Sequence, residues 1–204
     1  MLDFFKKLRK QNYKSIYDRI IDLKSKNLLD EKVLVDFYSD KNYIPGSYEY
    51  DFLNNNVNIK NIKTYSLNKA IDLYYNKDSA SIMMICDFFN KNTALEAIKS
   101  FENYIFSQDN FDEQKLLGLS ILLMRDTNSF EAVKFGILLS KYYQLENAQA
   151  AVNIIKNLGI YPDFTFYSLS ALKNLQNYDK LYLEIEENTL GLGKEIGEII
   201  NETR

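Results

Sequence analysis

The sequence predicts an all-α protein built from stacked antiparallel helical hairpins, and three observations support this fold class. Only 7 Gly and 2 Pro occur among 204 residues, which leaves little material for the tight turns of a β-sandwich. Helix-starting signals recur every 15 to 19 residues in the second half of the chain. Each signal opens a stretch in which apolar side chains follow helical spacing. Helices of similar length joined by short loops pair into hairpins, so we expect a solenoid or array.

Individual residues justify the predicted helices in chain order. Candidate first turns lie at Asp78, Thr93, Asp112, Ser129, Leu145, Pro162 and Asp179. Thr93 and Glu96 fit a capping box, and the fixed φ of Pro162 suits a first helical turn. Gly159 is expected to end the preceding helix in the left-handed conformation. Three glycines between Leu190 and Ile200 predict a loosely docked last helix.

We expect residues 1–204 to form one α-helical repeat domain, because a chain of this length can bury one sizeable core. Residues 1–38 predict two N-terminal helices, of which the first, over 3–25, is amphipathic and rich in lysine. Helical periodicity weakens over 39–64 and returns over 66–204, where the hairpin array is expected. The predicted domain therefore combines a helical array with one irregular segment.

The irregular segment has the composition of an adaptable binding loop. It contains the turn Ile44-Pro45-Gly46-Ser47, followed by Tyr48-Glu49-Tyr50-Asp51. In such loops tyrosine supplies rigid contact area and small polar residues supply hydrogen bonds. An irregular or short-helical connection without a binding role explains the same composition, and both interpretations stay open here.

The residue inventory excludes several kinds of active site. One Cys and no His rule out an internal disulfide, a Cys-His nucleophile pair and a zinc site made of Cys and His. No phosphate-binding loop, dinucleotide fingerprint or nucleophile elbow occurs. An all-carboxylate metal site stays formally open, but the cluster of Glu184, Glu186 and Glu187 fits a solvated helix face. We therefore expect no enzymatic activity, no cofactor and no metal, and a core position for Cys86.

The distribution of apolar residues predicts a cytoplasmic protein. No apolar run reaches the length of a membrane span, and the first residues lack the apolar core of a signal peptide. A chain with a single cysteine also suits the reducing cytosol. We therefore expect no membrane span and a cytoplasmic location.

Charge changes sign along the chain. Residues 1–32 hold nine Lys and Arg against five Asp and Glu, whereas residues 101–204 hold nine against fifteen. An acidic array disfavours nucleic acid as a partner, because phosphate neutralisation dominates affinity for it. It suits a basic protein instead, since complementary charge speeds encounter. The basic N-terminal helix is either a helix for membrane surfaces or nucleic acid, or the solvated face of a docked helix.

One stretch of the array, over residues 112–176, resembles a known family. The residues concerned are Lys115 to Leu119 with Leu122 and Leu123, Ala132 to Leu139, Leu158-Gly159, Asp163 to Tyr167, Ala171-Leu172 and Asn174-Leu175. This pattern resembles small bacterial proteins with HEAT-like helical repeats, including immunity proteins of polymorphic or contact-dependent toxin systems. The resemblance implies an α-α superhelix and a cognate toxin, often a nuclease with a basic cleft. Tetratricopeptide (TPR) repeats share the hairpin spacing of about 34 residues but match the apolar positions poorly.

The leading hypothesis is a cytosolic protein-binding protein, most specifically an immunity protein that occludes the active site of a toxin. Tyrosines would anchor the toxin and carboxylates would replace its substrate phosphates. The candidate partner-binding residues are Asp40, Tyr43, Tyr48, Glu49, Tyr50, Asp51, Asp109, Asp112, Glu113 and Asp126. Helix capping is the simpler explanation for Asp112. The alternatives are a helical-repeat scaffold or adaptor, and a nucleic-acid-binding repeat protein that uses the basic helix.

Overall fold

The structure is a computed structural model that describes residues 14–30, 42–107 and 111–203. Within these residues it contains helices and no strand, so the predicted all-α class is confirmed. The HEAT-like or TPR-like superhelix stays a prediction. Much of the N-terminal helical pair predicted within 1–38 lies outside the described residues, which contain one helix of that region, α1, over Ile16–Ser25.

The chain divides into two compact units. Unit 1 comprises residues 1–18 and 59–148, and unit 2 comprises residues 19–58 and 149–204. After α1, the described helices are α2 (Ser47–Leu53), α3 (Tyr65–Tyr75), α4 (Ser81–Phe89), α5 (Ala94–Phe106), α6 (Glu113–Asp126), α7 (Phe130–Leu138), α8 (Gln149–Leu158), α9 (Pro162–Leu172), α10 (Tyr178–Glu186) and α11 (Leu192–Glu202), with 3₁₀ turns at Leu139–Tyr142 and Leu145–Asn147. The single repeat domain expected from the sequence stays a prediction.

The core of unit 1 forms around α7, which contacts α4, α5 and α6. Phe135 of α7 is fully buried, and its ring centroid lies 5.0 Å from that of Phe89 and 5.2 Å from that of Phe101. Aromatic pairs of this kind contribute about 0.5–1.5 kcal/mol beyond the burial of their area. Gly136 lets α6 approach, because an added Cβ would lie 3.0 Å from Leu123 Cβ. Helix α7 therefore fixes the positions of three neighbours.

Three predicted helix starts carry the expected side-chain caps. Thr93 Oγ1 accepts the N–H of Glu96, whose carboxylate accepts the N–H of Thr93, and this confirms the capping box. Ser129 and Asp112 each accept the backbone N–H three residues later, at 3.3 and 3.0 Å. Such caps satisfy donors that the first helical turn leaves unpaired, and each contributes about 1 kcal/mol.

The other helix starts differ from prediction by at most a few residues. Pro162 is the first residue of α9, as predicted, and Asp179 lies in the first turn of α10. Asp78 instead accepts the N–H of Ala80 at 2.8 Å, so it shapes the turn that precedes α4. Leu145 opens a 3₁₀ turn, and α8 begins after it. Local capping signals therefore locate the helices well, although turns displace some first residues.

Unit 2 is organised around α9, which contacts α2, α8, α10 and α11. Most of its side chains are buried, including Phe164, Tyr167 and Leu169. The buried hydroxyl of Thr165 donates to the carbonyl of Gly159 at 2.9 Å, so this interior polar group is satisfied. Helix α9 is therefore the central element of unit 2.

Gly159 does not end α8 in the left-handed conformation, and that prediction is wrong. Among the glycines, only Gly46 and Gly191 have a positive φ. A Cβ added at Gly159 would lie 2.8 Å from Ser168 Cβ and 2.9 Å from Ile185 Cδ1. Glycine stands here because side chains of α9 and α10 occupy the space that a side chain would need.

The last helix is firmly docked, so the predicted loose packing is also wrong. Ile196 of α11 is fully buried, and Gly193 is buried beside α9. A Cβ at Gly193 would lie 3.0 Å from Thr165 Oγ1. Close approach of the two helices therefore outweighs the low helix propensity of glycine.

The segment predicted to be irregular contains α2. Gly46 precedes this helix with a φ of 82°, whereas residues 54–64 contain no helix or strand. Phe52 of α2 meets Phe166 of α9 edge to face, with ring centroids 5.4 Å apart. Residues Ser47–Leu53 are therefore helical and not irregular, because tertiary contact stabilises a helix too short to form alone. Whether this helix binds a partner stays a prediction.

Candidate partner-binding groove

Two predicted partner-binding residues face the interior of unit 2. Glu49 is fully buried, and its carboxylate accepts a hydrogen bond from the Tyr167 hydroxyl at 3.1 Å. The Tyr43 hydroxyl donates to the buried carboxylate of Asp163 at 2.8 Å. A fully buried carboxylate does not meet the cations of a partner at the surface. The assignment of Glu49 to a partner surface is therefore corrected.

The other predicted residues of α2 are more accessible. Asp51 is exposed, and Tyr48 and Tyr50 are half-buried. These three side chains share one short helix, so they are close enough to contact a single partner. Their role in binding stays a prediction, while Asp40 lies outside the described residues.

The predicted acids of the repeat loops separate into different roles. Asp112 caps α6, so the capping interpretation is confirmed. Asp126 is bound by the neighbouring Arg125, whose Nε and Nη2 donate to its two oxygens at 3.0 and 2.7 Å. This hydrogen bond raises the pKa of Arg125, and the arginine offsets the charge of the carboxylate. Asp109 lies outside the described residues.

Glu113 is the predicted residue that lines a concave surface. We name as the aromatic groove an open cavity of about 480 Å³ in unit 1. Its lining residues are Ile105, Phe106, Phe111, Glu113, Lys141, Tyr142, Tyr143 and Gln144. They come from the end of α5, from residues just before and at the start of α6, and from the 3₁₀ turn after α7 with the two residues that follow it. The groove therefore depends on three separate parts of the chain.

The base of the aromatic groove is held by a buried hydrogen-bond chain. Ser120 Oγ lies 2.7 Å from the Gly136 carbonyl, to which it donates, and 2.9 Å from the Tyr143 hydroxyl. Because a serine hydroxyl has one hydrogen, Tyr143 is the donor to Ser120. Burial raises the pKa of Tyr143 to about 12, so the phenol is neutral at physiological pH. The base of the groove is thus fixed and uncharged.

Tyr142 forms a supported wall of the aromatic groove. Its ring lies edge to face with the buried Phe101, at a centroid distance of 6.4 Å, and with Phe106 at 6.0 Å. Burial and the negative charge of Glu102 raise the pKa of Tyr142. Core packing on one side therefore holds the ring in place before any partner binds, which reduces the entropy that binding would cost.

Two phenylalanines stand exposed at the aromatic groove. Phe106 is 74% exposed and Phe111 is 44% exposed. Phe106 is the last residue of α5, directly after Ile105, which faces the core. Burial of such rings is favourable by roughly 25 cal/mol per Å² of apolar surface. Their exposure beside a cavity is typical of a surface that another molecule covers.

The aromatic groove and the residues beside it carry more negative than positive charge. Lys141 Nζ lies 3.1 Å from Glu102 Oε1 and 4.8 Å from the centre of the Tyr142 ring. Glu113 Oε1 accepts the N–H of Gln144 at 2.5 Å. Among the described residues Glu113 has no salt bridge. Lys141 is thus neutralised by Glu102 beside the groove, while Glu113 lines the groove without a salt bridge to any described residue, so the surplus charge among these residues is negative.

Sequence reasoning missed the aromatic residues of this groove. Phe106, Phe111 and Tyr142 lie within the stretch predicted to form the helical array, and none of them was among the predicted partner-binding residues. One signal was present, because Ile105 and Phe106 are adjacent and point about 100° apart around the helix, so the two side chains need not face the same core. The adjacent Lys141 and aromatic residues gave no comparable signal.

The described part of the chain contains no group of three or more Cys, Asp or Glu side chains arranged to hold a metal ion. Burial raises the pKa of the Cys86 thiol to about 11, which disfavours the nucleophilic thiolate. In the same residues, no helix has the length and apolar character needed to cross a membrane.

Comparison with known proteins adds no relative. No family model, curated protein or solved structure matches the chain. The described residues form an all-α protein with an exposed aromatic groove.

Proposed function

We propose that this protein acts by binding another protein, which docks on the aromatic groove of unit 1. The observation that carries the proposal is the exposure of Phe106 and Phe111 beside a cavity of about 480 Å³. Aromatic residues dominate the energetic centres of protein interfaces, where they fill well-packed pockets. The supported ring of Tyr142 supplies the fixed surface that such a centre requires.

The particular role that we propose is neutralisation of a bacterial toxin in the cytoplasm. It rests on the resemblance of residues 112–176 to HEAT-like immunity proteins and on the acidic balance of residues 101–204. In this proposal the protein occludes the active site of a basic toxin, such as a nuclease, and catalyses no reaction. The negative surplus at Glu102 and Glu113 supports encounter with a basic surface.

An adaptor that holds a short segment of a cellular protein is the second candidate. The groove favours this candidate in one respect, because a single recess suits a short segment better than a broad toxin surface. The two functions differ in the partner and not in the site. The same variants therefore test both.

A growth assay tests the toxin-neutralising role. The open reading frame adjacent to the gene for this protein is induced with and without the protein, and the two products are purified together. We expect growth arrest without the protein, rescue with it, and a stable complex. Rescue by a Phe106→Ala/Phe111→Ala variant as complete as that by the wild type would remove the groove from the proposal. Toxicity without rescue would contradict the immunity role itself.

A further inference from the structure

We infer that the aromatic groove takes an apolar side chain that lies directly beside a lysine or arginine in the partner. This inference rests on the proposed binding function and names the chemistry of the docked segment. The apolar side chain lies among Phe106, Phe111 and Tyr142, and the adjacent cation lies against Glu113. The apolar contact and the charged contact are each supported by a different observation.

The apolar half follows from the shape of the groove. The cavity of about 480 Å³ has ample room for one large side chain and part of its backbone. Small-molecule sites bury most of their ligand, whereas here Phe106 at the groove is 74% exposed. An open recess with exposed aromatic edges therefore fits a segment of a larger molecule, which brings its own surface to cover the remainder.

The preference for a cation beside the apolar side chain follows from which charged groups at the groove are already paired. Lys141 is paired with Glu102 and lies over the Tyr142 ring, so an acidic partner residue would have to compete for it. Glu113 has one oxygen on the Gln144 N–H, while Oε2 makes no hydrogen bond among the described residues. A lysine or arginine beside the anchor can bond to that oxygen. An aspartate or glutamate in the same place would meet like charge.

Glu113 is also held in position for this contact. Its backbone lies at the first position of α6, where the helix dipole favours a negative charge. The bond to the Gln144 N–H at 2.5 Å fixes its carboxylate against the 3₁₀ segment. Little side-chain entropy remains to be lost when a cation binds, which raises the affinity gained from one charged contact.

The test uses a random peptide library displayed on phage and panned on the full chain. We expect enrichment of peptides in which a Leu, Met or Phe is adjacent to Lys or Arg. Panning in parallel on Phe106→Ala should give no such enrichment, because the apolar contact is lost. No enrichment on the wild type, equal enrichment on the variant, or a preference for acidic neighbours would each overturn the inference.

One enriched peptide is then synthesised, and its affinity is measured by fluorescence anisotropy. We expect Phe106→Ala or Phe111→Ala to weaken binding about tenfold or more. Glu113→Gln should weaken it about three- to tenfold at low salt and less at high salt. The matched controls are Tyr65→Ala, an aromatic residue 81% exposed outside the groove, and Glu146→Gln. Equal losses in the controls would contradict site-specific binding.

Other occupants give different results. A second copy of the chain in the groove would appear as a dimer that Phe106→Ala dissociates, and this would overturn the inference. Peptide binding through the groove without rescue from a toxin would keep the inference and remove the toxin-neutralising role. Rescue that survives Glu113→Gln and Phe106→Ala would keep that role and overturn the inference.

Discussion

Helix α2 in unit 2 and the aromatic groove in unit 1 contain the same kinds of residue and use them in opposite ways. In α2, Glu49 is fully buried and bonds to Tyr167. In the groove, Glu113 lies at an open cavity and Phe106 is 74% exposed. The acidic and tyrosine-rich segment that resembled a binding loop thus contributes to a core. The stretch that resembled ordinary array helices supplies the candidate binding surface.

Composition therefore does not decide which of these side chains are exposed. A glutamate can be buried when a long-range partner donates a hydrogen bond to it, as Tyr167 does to Glu49 Oε1. A phenylalanine can stay exposed beside a buried neighbour, as Phe106 does beside Ile105. Four predictions sharpen this contrast, in order of decreasing effect on stability.

Replacing the buried acid of α2 should have the largest effect. We expect Glu49→Ala to lower the free energy of unfolding by about 2–4 kcal/mol, because it removes the acceptor of a buried hydroxyl and leaves a cavity. Urea denaturation measures the loss. The matched control, Asp51→Ala on the exposed side of the same helix, should change stability by less than about 0.5 kcal/mol. Similar losses in both variants would refute the inward placement of Glu49.

The groove base should show a dependence on alkaline pH. The pKa of Tyr143 rises from 10.0 to about 12 on folding, so its stabilisation is complete below pH 10 and is lost as pH approaches 12. Ionisation of this group should lower the free energy of unfolding of the wild type by about 2 kcal/mol over this pH range. Tyr143→Phe should be less stable by about 1 kcal/mol at neutral pH.

The test is the difference in unfolding free energy between the wild type and Tyr143→Phe across this alkaline range. The difference should shrink as pH rises and reverse in sign as pH approaches 12, because the variant has no phenol to ionise at that position. A constant difference between neutral pH and pH 12 would show that burial does not hold the Tyr143 phenol neutral.

The side-chain cap of α6 should contribute moderately to the stability of the fold. We expect Asp112→Ala to lower the free energy of unfolding by about 1 kcal/mol, because the N–H of Lys115 loses its acceptor. Asp112→Asn retains an acceptor and should recover most of the loss. Partner affinity should change little in either variant. A loss of affinity with unchanged stability would return Asp112 to the partner surface.

The exposed phenylalanine should matter least to folding. We expect Phe106→Ala to change the free energy of unfolding by less than about 0.5 kcal/mol. Ile105→Ala, at a neighbouring residue only 3% exposed, should cost about 2–5 kcal/mol. Thermal and urea denaturation of the two variants measure this contrast. A large loss on Phe106→Ala would mean that the ring supports the core and is not reserved for a partner.

Much of the fold could be predicted from local sequence. The capping box at Thr93 and Glu96 and the first-turn proline at Pro162 appear where the sequence placed them. The roles of glycine could not be predicted equally well. Gly159 and Gly193 looked like helix-ending or helix-weakening residues, yet both stand where neighbouring elements pack closely. Such neighbours come from other parts of the chain, so periodicity along one helix does not reveal them.

Less of the candidate site could be predicted. Glu113 was predicted and does line the groove, whereas its aromatic residues were missed. The all-α class and the capped helix starts follow from the local sequence, because propensity and capping act within a few residues. The burial of Glu49 depends on tertiary packing, since its partner Tyr167 lies 118 positions away. Exposure depends on which distant residues occupy the space around a side chain, and that information exists only after the helices pack.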